Sequence, residues 1–179
     1  MKYLITIILF SITLGINAQA TNIRVTNQSV DKINWMSWEE AMAANKVEPR
    51  KIFVDIYTDW CGWCKKMDST TFVDSEVVTE MNESFYAVKF DAEQKEDITF
   101  NDAVFSFVKN GRRGAHQLAS ALVDGRMSYP SFVLLDENFN RVMLAPGYQT
   151  PDKLMPQLQY TSTEAYQTQN FQEFTPANK

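Results

Sequence analysis

Cys61 and Cys64 stand three positions apart in the run Trp60-Cys61-Gly62-Trp63-Cys64-Lys65, and they are the only cysteines in 179 residues. The chemistry open to such a pair is thiol–disulfide exchange. At a helix start the unpaired N–H groups and the dipole stabilise negative charge, so Cys61 is expected to be a thiolate more often than a free cysteine. The thiolate is the attacking species in exchange. Cys64 follows one helical turn later, within reach of a mixed disulfide formed at Cys61. Gly62 keeps the turn open, and Trp63 supplies apolar surface beside the sulfurs.

Other uses of the pair fit less well. Covalent haem attachment requires a histidine after the second cysteine, and that position is Lys65. A structural zinc site needs two further good ligands, but the chain has one histidine, His116, and no third cysteine. A purely structural disulfide stays open, although cross-linking so short a loop removes little chain entropy. Copper(I) favours thiolates, which leaves a non-catalytic copper-handling or chaperone module as the alternative from another functional class.

The elements that position the pair follow from hydrophobic patterning. Lys51-Ile52-Phe53-Val54-Asp55-Ile56-Tyr57 is a near-continuous apolar, β-branched and aromatic run, the signature of a strand buried on both faces. It ends just before the cysteines, and a helix follows through Lys65, Lys66 and Met67. Ahead of it, Ser37 and Glu40 have capping-box spacing, and a helix is expected from Ala41 to about Lys46. Asp74 caps a further helix, with Val77, Val78 and Met81 facing the core. Phe85–Asp91 is a second strand. From Ala92 to Met127 the pattern predicts interrupted helices, one over Ile98–Val108 and one over Gln117–Val123. Arg112 and Arg113 fall in a solvated turn, and His116 reads as a surface or capping residue. Phe132–Leu135 and Arg141–Ala145 are two adjacent strands, and Pro151–Leu158 a closing helix. A parallel unit followed by a hairpin implies an α/β fold, a central mixed sheet flanked by helices.

The segment Val54 to Lys65 resembles the active-site segment of thioredoxins. Asp55, six residues before Cys61, matches the buried carboxylate of that family, and Lys89 in the next strand matches the lysine beside it. Tyr129-Pro130 matches the family's cis-proline loop, which holds substrate backbone. The resemblance covers about residues 35–160, with a longer helical insertion at about 92–127 before the cis-proline strand. The Gly62-Trp63 pair departs from thioredoxin's Gly-Pro and is more similar to thioredoxin-like domains of exported bacterial proteins. It implies a thioredoxin fold with Cys61, Cys64, Asp55 and Lys89 as catalytic candidates. Trp60, Gly62, Trp63, Tyr129 and Pro130 are the substrate-binding candidates. Apart from the resemblance, a carboxyl inside an apolar strand is costly unless neutral or paired, which favours a proton-relay role for Asp55. The cysteine pair itself is the redox group, and no organic cofactor or metal is required. The acid, with no histidine between the cysteines, favours the reductase direction.

Residues 1–20 are of another kind: Met1-Lys2, an apolar stretch from Tyr3 to Ile16, and small residues at Ala18 and Ala20. They read as a signal peptide cleaved after Ala20, followed by an arm over residues 21–34. The apolar run is shorter than the roughly 20 residues a bilayer requires, so a permanent membrane anchor is not expected. The expected partners are disulfide-containing exported proteins in the periplasm or outside the cell, with a membrane electron relay as donor. With 17 basic against 22 acidic residues and a net charge of -5, nothing favours nucleic acid. A C-terminal tail, residues 161–179, is polar with Tyr166, Phe171 and Phe174 at wide spacing.

Overall fold

Helix α1 (Trp38–Val47) begins at the capping box read from Ser37 and Glu40. The Glu40 N–H donates to Ser37 Oγ at 3.2 Å, and the Ser37 N–H donates to Glu40 Oε2 at 2.7 Å. The computed structural model describes residues 32–174. The expected signal peptide and residues 21–31 of the arm lie outside the described residues.

A central sheet is built from β1 (Trp35–Met36), β2 (Lys51–Tyr57) and β3 (Phe85–Asp91), then β8 (Ser131–Leu135) and β9 (Arg141–Pro146). The spatial order is β1-β3-β2-β8-β9, with β1, β3 and β2 parallel and β8 and β9 antiparallel to their neighbours. The class expected from the sequence, a mixed sheet flanked by helices, is the one found. Strand β2 lies at the centre, so both its faces are covered and its residues are apolar almost throughout.

The pleat of β2 sends its side chains alternately to two cores. Ile52, Val54 and Ile56 meet Trp38 and Ala41 of α1 and Leu118 and Ala119 of α4 (Gln117–Leu122). Phe53 meets Met67 of α2 (Gly62–Asp68), Val78 and Met81 of α3 (Ser75–Ser84), and Leu154 and Leu158 of α5 (Pro151–Ser162). Asp55 is one pleat beyond Phe53. It therefore belongs to the face roofed by α2, the helix that carries Cys64.

The connection between β3 and β8 corrects one expectation. No helix covers Ile98–Val108; that stretch and its continuation form two hairpins. The first pairs β4 (Ile98–Phe100) with β5 (Ala103–Phe105), and the second pairs β6 (Phe107–Asn110) with β7 (Arg113–His116). Only Gln117–Leu122 is helical there. The turns explain the outcome. Asn101 and Asp102 both take positive φ, 49° and 61°, as a two-residue type I′ turn demands. Gly111, at φ 60°, opens the second turn beside Arg112. Phe100, Val104, Phe105, Phe107 and Val108 thus occupy short strands, and the β-branched and aromatic content of the run is the signal for them.

His116 closes the second hairpin and caps α4. It is buried, accepts the Leu118 N–H on Nδ1 at 3.2 Å, and its Nε2 lies 3.1 Å from the Glu96 carbonyl oxygen. Of the two roles expected for this histidine, capping is the one found, and a surface position is not. Gly114 is the other fixed point. A Cβ there would lie 2.2 Å from Phe107 Cζ and 2.6 Å from the Val108 carbonyl oxygen. Gly114→Ala is therefore expected to displace the hairpin and cost about 1–3 kcal/mol in urea unfolding.

Helix α5 runs four residues past its expected end, to Ser162. The described part of the tail folds back on it: Tyr160 meets the rings of Phe171 and Phe174 at 5.3 and 5.4 Å. Among the described residues no helix is long and apolar enough to cross a membrane.

Candidate active site

Strand β2 delivers the chain to the cysteines through one buried residue. The carbonyl of Thr58 accepts the Cys61 N–H at 3.0 Å, and Cys61 then serves as the N-cap of α2. Its Sγ accepts the Cys64 N–H at 3.1 Å, so the first turn of α2 aims a backbone donor at the sulfur. The two sulfurs are bonded to each other, with the pair in its oxidised form. Both cysteines are buried, whereas Trp60 and Trp63 on either side are 52% and 62% exposed. Large exposed rings flanking a covered disulfide form a contact rim around it.

The Tyr129–Pro130 peptide is cis, and the proline is tied to the loop after β9 by the Gly147 N–H, which donates to the Pro130 oxygen at 2.8 Å. The Tyr129 ring meets the Trp60 ring edge-on at 5.6 Å. Residues far apart in the sequence are thereby joined: the proline loop lies against the residue preceding Cys61. On the other side, the Trp63 ring lies 5.4 Å from that of Tyr148.

Beneath α2 lies a chain of three charges. Asp55 is 1% exposed and sits in register with Lys89 on β3 and Phe132 on β8. Lys89 Nζ donates to Asp55 Oδ2 at 2.6 Å and also bonds Asp68 Oδ1, at the end of α2. The aromatic rings of Trp35, Tyr57 and Phe72 surround the ammonium within 4.9 to 5.2 Å. Burial pushes the Asp55 carboxyl up to about 6 from 3.8, and Lys89 only partly offsets it. Burial pulls Lys89 down, but Asp55 and Asp68 outweigh it and leave the ammonium above its ordinary value. Asp55 Oδ1 is buried without a hydrogen-bond partner among the described residues. A carboxyl poised near neutrality with one free oxygen is suited to accepting and returning a proton.

The structure thus pairs Lys89 with Asp55 and places Trp60 against Tyr129 of the proline loop. Sequence reasoning missed Asp68, Tyr148 and Arg113, whose guanidinium lies 4.9 Å over the Trp60 ring. Asp68 has a signal: it is four residues after Cys64 and so shares its helix face. Arg113 has none, because the pattern around it suggests a turn between helices rather than a hairpin.

A family model described as Thioredox_DsbH, a protein of unknown function (DUF255), matches residues 17–126, which is more than half of the chain. The chain belongs to this thioredoxin-like DsbH family. Curated relatives match over shorter stretches. Spermatogenesis-associated protein 20 of Rattus norvegicus is 31% identical over 67 residues, covering 37% of this chain and 8% of the relative. The thiol:disulfide interchange protein DsbD of Pseudoalteromonas atlantica is 32% identical over 53 residues, covering 30% of this chain and 9% of that protein. The DsbH-family chain therefore aligns with less than a tenth of those relatives' length. Among solved structures, a thioredoxin-fold protein from Helicobacter pylori superposes with a TM-score of 0.56 at 14% identity, covering 80% of this chain and 84% of that one. A putative disulphide-isomerase from Bacteroides thetaiotaomicron gives 0.51 at 22% identity, with 78% and 97% covered. These likenesses establish the thioredoxin fold for the DsbH-family chain.

Proposed function

We propose that this protein is an exported thiol–disulfide oxidoreductase acting on disulfide-containing proteins, working mainly as a reductase. The observation that carries the reading is the Cys61–Cys64 disulfide at the start of α2, with Asp55 buried on the sheet face below that helix. The stretch shared with a thiol:disulfide interchange protein supports the same chemistry.

In the reduced protein, the Cys61 thiolate attacks one sulfur of the partner's disulfide. That S–S bond breaks, a mixed disulfide forms, and one partner sulfur leaves as a thiolate. Cys64 then loses its proton to Asp55 and attacks Cys61 Sγ. The mixed disulfide breaks, the second partner thiolate leaves and takes up a proton, and two electrons have passed to the partner. The product is the Cys61–Cys64 disulfide. Cys61, Cys64 and Asp55 are the reacting groups, with Lys89 holding the Asp55 charge. Trp60, Gly62, Trp63, Tyr129 and Pro130 provide the surface on which partner backbone rests. The cysteine pair is the whole redox group, so no metal or organic cofactor enters. A membrane-bound dithiol relay is the donor class that returns the electrons.

The test is reduction of insulin disulfides with dithiothreitol as donor, followed by turbidity. Multiple turnovers per protein molecule are expected. Stoichiometric copper(I) retention against a competing chelator, without turnover, would overturn the enzyme reading in favour of a metal-handling module.

A further inference from the structure

The β6–β7 hairpin takes no part in the exchange steps, yet it stands beside them. Its Arg113 lies over Trp60, the residue before Cys61. Together they border an open groove of about 1010 Å³, with Val108 and Arg112 on the hairpin side and Met127, Ser128 and Tyr129 on the proline-loop side. An adjoining hollow of about 490 Å³ shares Trp60, Arg112 and Arg113 and adds Lys95 and Lys109. The first groove lies at the large end of small-molecule sites and is open to solvent rather than enclosed, which leaves room for a segment of polypeptide.

The charge of this surface runs against that of the protein. Lys95, Lys109, Arg112 and Arg113 line the two hollows against one acid, Glu93, on a chain whose net charge is -5. All four cations are exposed. The ion pairs of the described residues involve Arg50, Lys51, Lys89 and Arg141, and none of these four. Tyr129 feels acids more than cations: burial first, then Glu93 and Asp91, push its hydroxyl upward, and Arg113 offsets them least. Glu93 lines both hollows, so the surface is not free of negative charge, but its cations outnumber that acid four to one. Lys95 and Arg113 rest on the rings of Phe107 and Trp60, but among the described residues no ion pair neutralises any of the four. Clustered cations of this kind repel one another and favour a ligand of opposite charge.

We propose that this groove docks an acidic segment of the partner polypeptide next to the disulfide under attack. The inference rests on the oxidoreductase reading and specifies its substrate class. Partner backbone runs along Tyr129-Pro130, and carboxylates a few residues from the reactive cysteine lie against Lys95, Lys109 and Arg112. Arg113, held on the Trp60 ring, brings one positive charge to the rim of the cysteine pair.

Two disulfide-looped peptides test it, identical except that Asp and Glu flanking one cysteine in the first are Asn and Gln in the second. Second-order rates of the reduced protein are read by stopped-flow tryptophan fluorescence at low and high salt. The acidic peptide is expected to react about tenfold faster at low salt, with most of the advantage lost near 1 M, where charges are screened within about 3 Å. K109E/R112E, changed at exposed hairpin positions, should reverse the preference and leave the rate with uncharged hydroxyethyl disulfide within about twofold of wild type. R112S alone should give an intermediate preference. Equal rates for the two peptides, or a preference that survives K109E/R112E, would overturn the proposal. So would oxidised glutathione outpacing both peptides, which would assign the cations to a small acidic disulfide. Loss of reaction with hydroxyethyl disulfide in the wild type would instead bring down the oxidoreductase reading itself.

Discussion

Cys61→Ser is expected to abolish insulin reduction, lowering turnover by about a thousandfold or more, while Cys64→Ala stops the reaction halfway with the partner still attached. The two cysteines differ because their positions differ. Cys61 is the N-cap of α2, next to the exposed Trp60 and Gly62 and joined through Trp60 to the proline loop. Cys64 lies inside α2 and is 2% exposed. A serine hydroxyl at the nucleophile position is hardly ionised at neutral pH, and losses of this size are typical when an attacking group is removed. With Cys64→Ala the first exchange proceeds and the resolving thiol is missing, so covalent adducts accumulate. Non-reducing electrophoresis with mass spectrometry of exported proteins would show them and name the partners. Turnover by Cys61→Ser at the wild-type rate would remove Cys61 from the nucleophile role.

Asp55→Asn should stabilise the protein and slow it. A carboxyl held at about 6 in the native state against 3.8 when unfolded makes the folded form bind more protons between those values. Stability therefore falls as pH rises through that window, and above it the ionised native state carries a cost of about 3 kcal/mol. Asparagine does not titrate, so the variant should match the wild type near pH 4 and exceed it above pH 6. The expected gain is about 2 kcal/mol, smaller than that cost, because Lys89 loses one of its two carboxylate partners. Urea unfolding of the oxidised protein, in which neither cysteine titrates, at pH 4 and pH 7.5 measures it. A difference that does not change with pH would show that Asp55 is not the titrating group. In the reduced protein the same substitution should lengthen the life of the mixed disulfide about tenfold to a hundredfold. It should also remove an inflection near pH 6 from the resolving rate, leaving the first attack by Cys61 unchanged.

The local parts of this picture are legible in the residues themselves. The capping box at Ser37, the buried strand Lys51–Tyr57 and the cysteine pair at a strand-to-helix junction are each specified by residues a few positions apart. Periodicity, capping and turn chemistry act over that range. Asp55 is conspicuous for the same reason, a carboxyl inside an apolar run. The discrepancy at Ile98–Val108 is also local in origin. Phe100, Val104, Phe105 and Val108 match helical spacing as well as short strands, and the Asn101-Asp102 turn decides between them.

By itself, then, the sequence determined the cysteine pair, the strand that presents it, the acid near it and the α/β class. Only the tertiary structure decided what those parts meet. It gave Lys89 two carboxylate partners and left one Asp55 oxygen unpaired among the described residues. It set Tyr129 against Trp60 and laid Arg113 of a hairpin over the same ring. Most of these contacts join residues tens of positions apart, created by sheet register and by hairpins folding back on the domain. The preference of a single residue carries no information about such a neighbour, and the proposed chemistry at Cys61 and Cys64 calls on several of them at once.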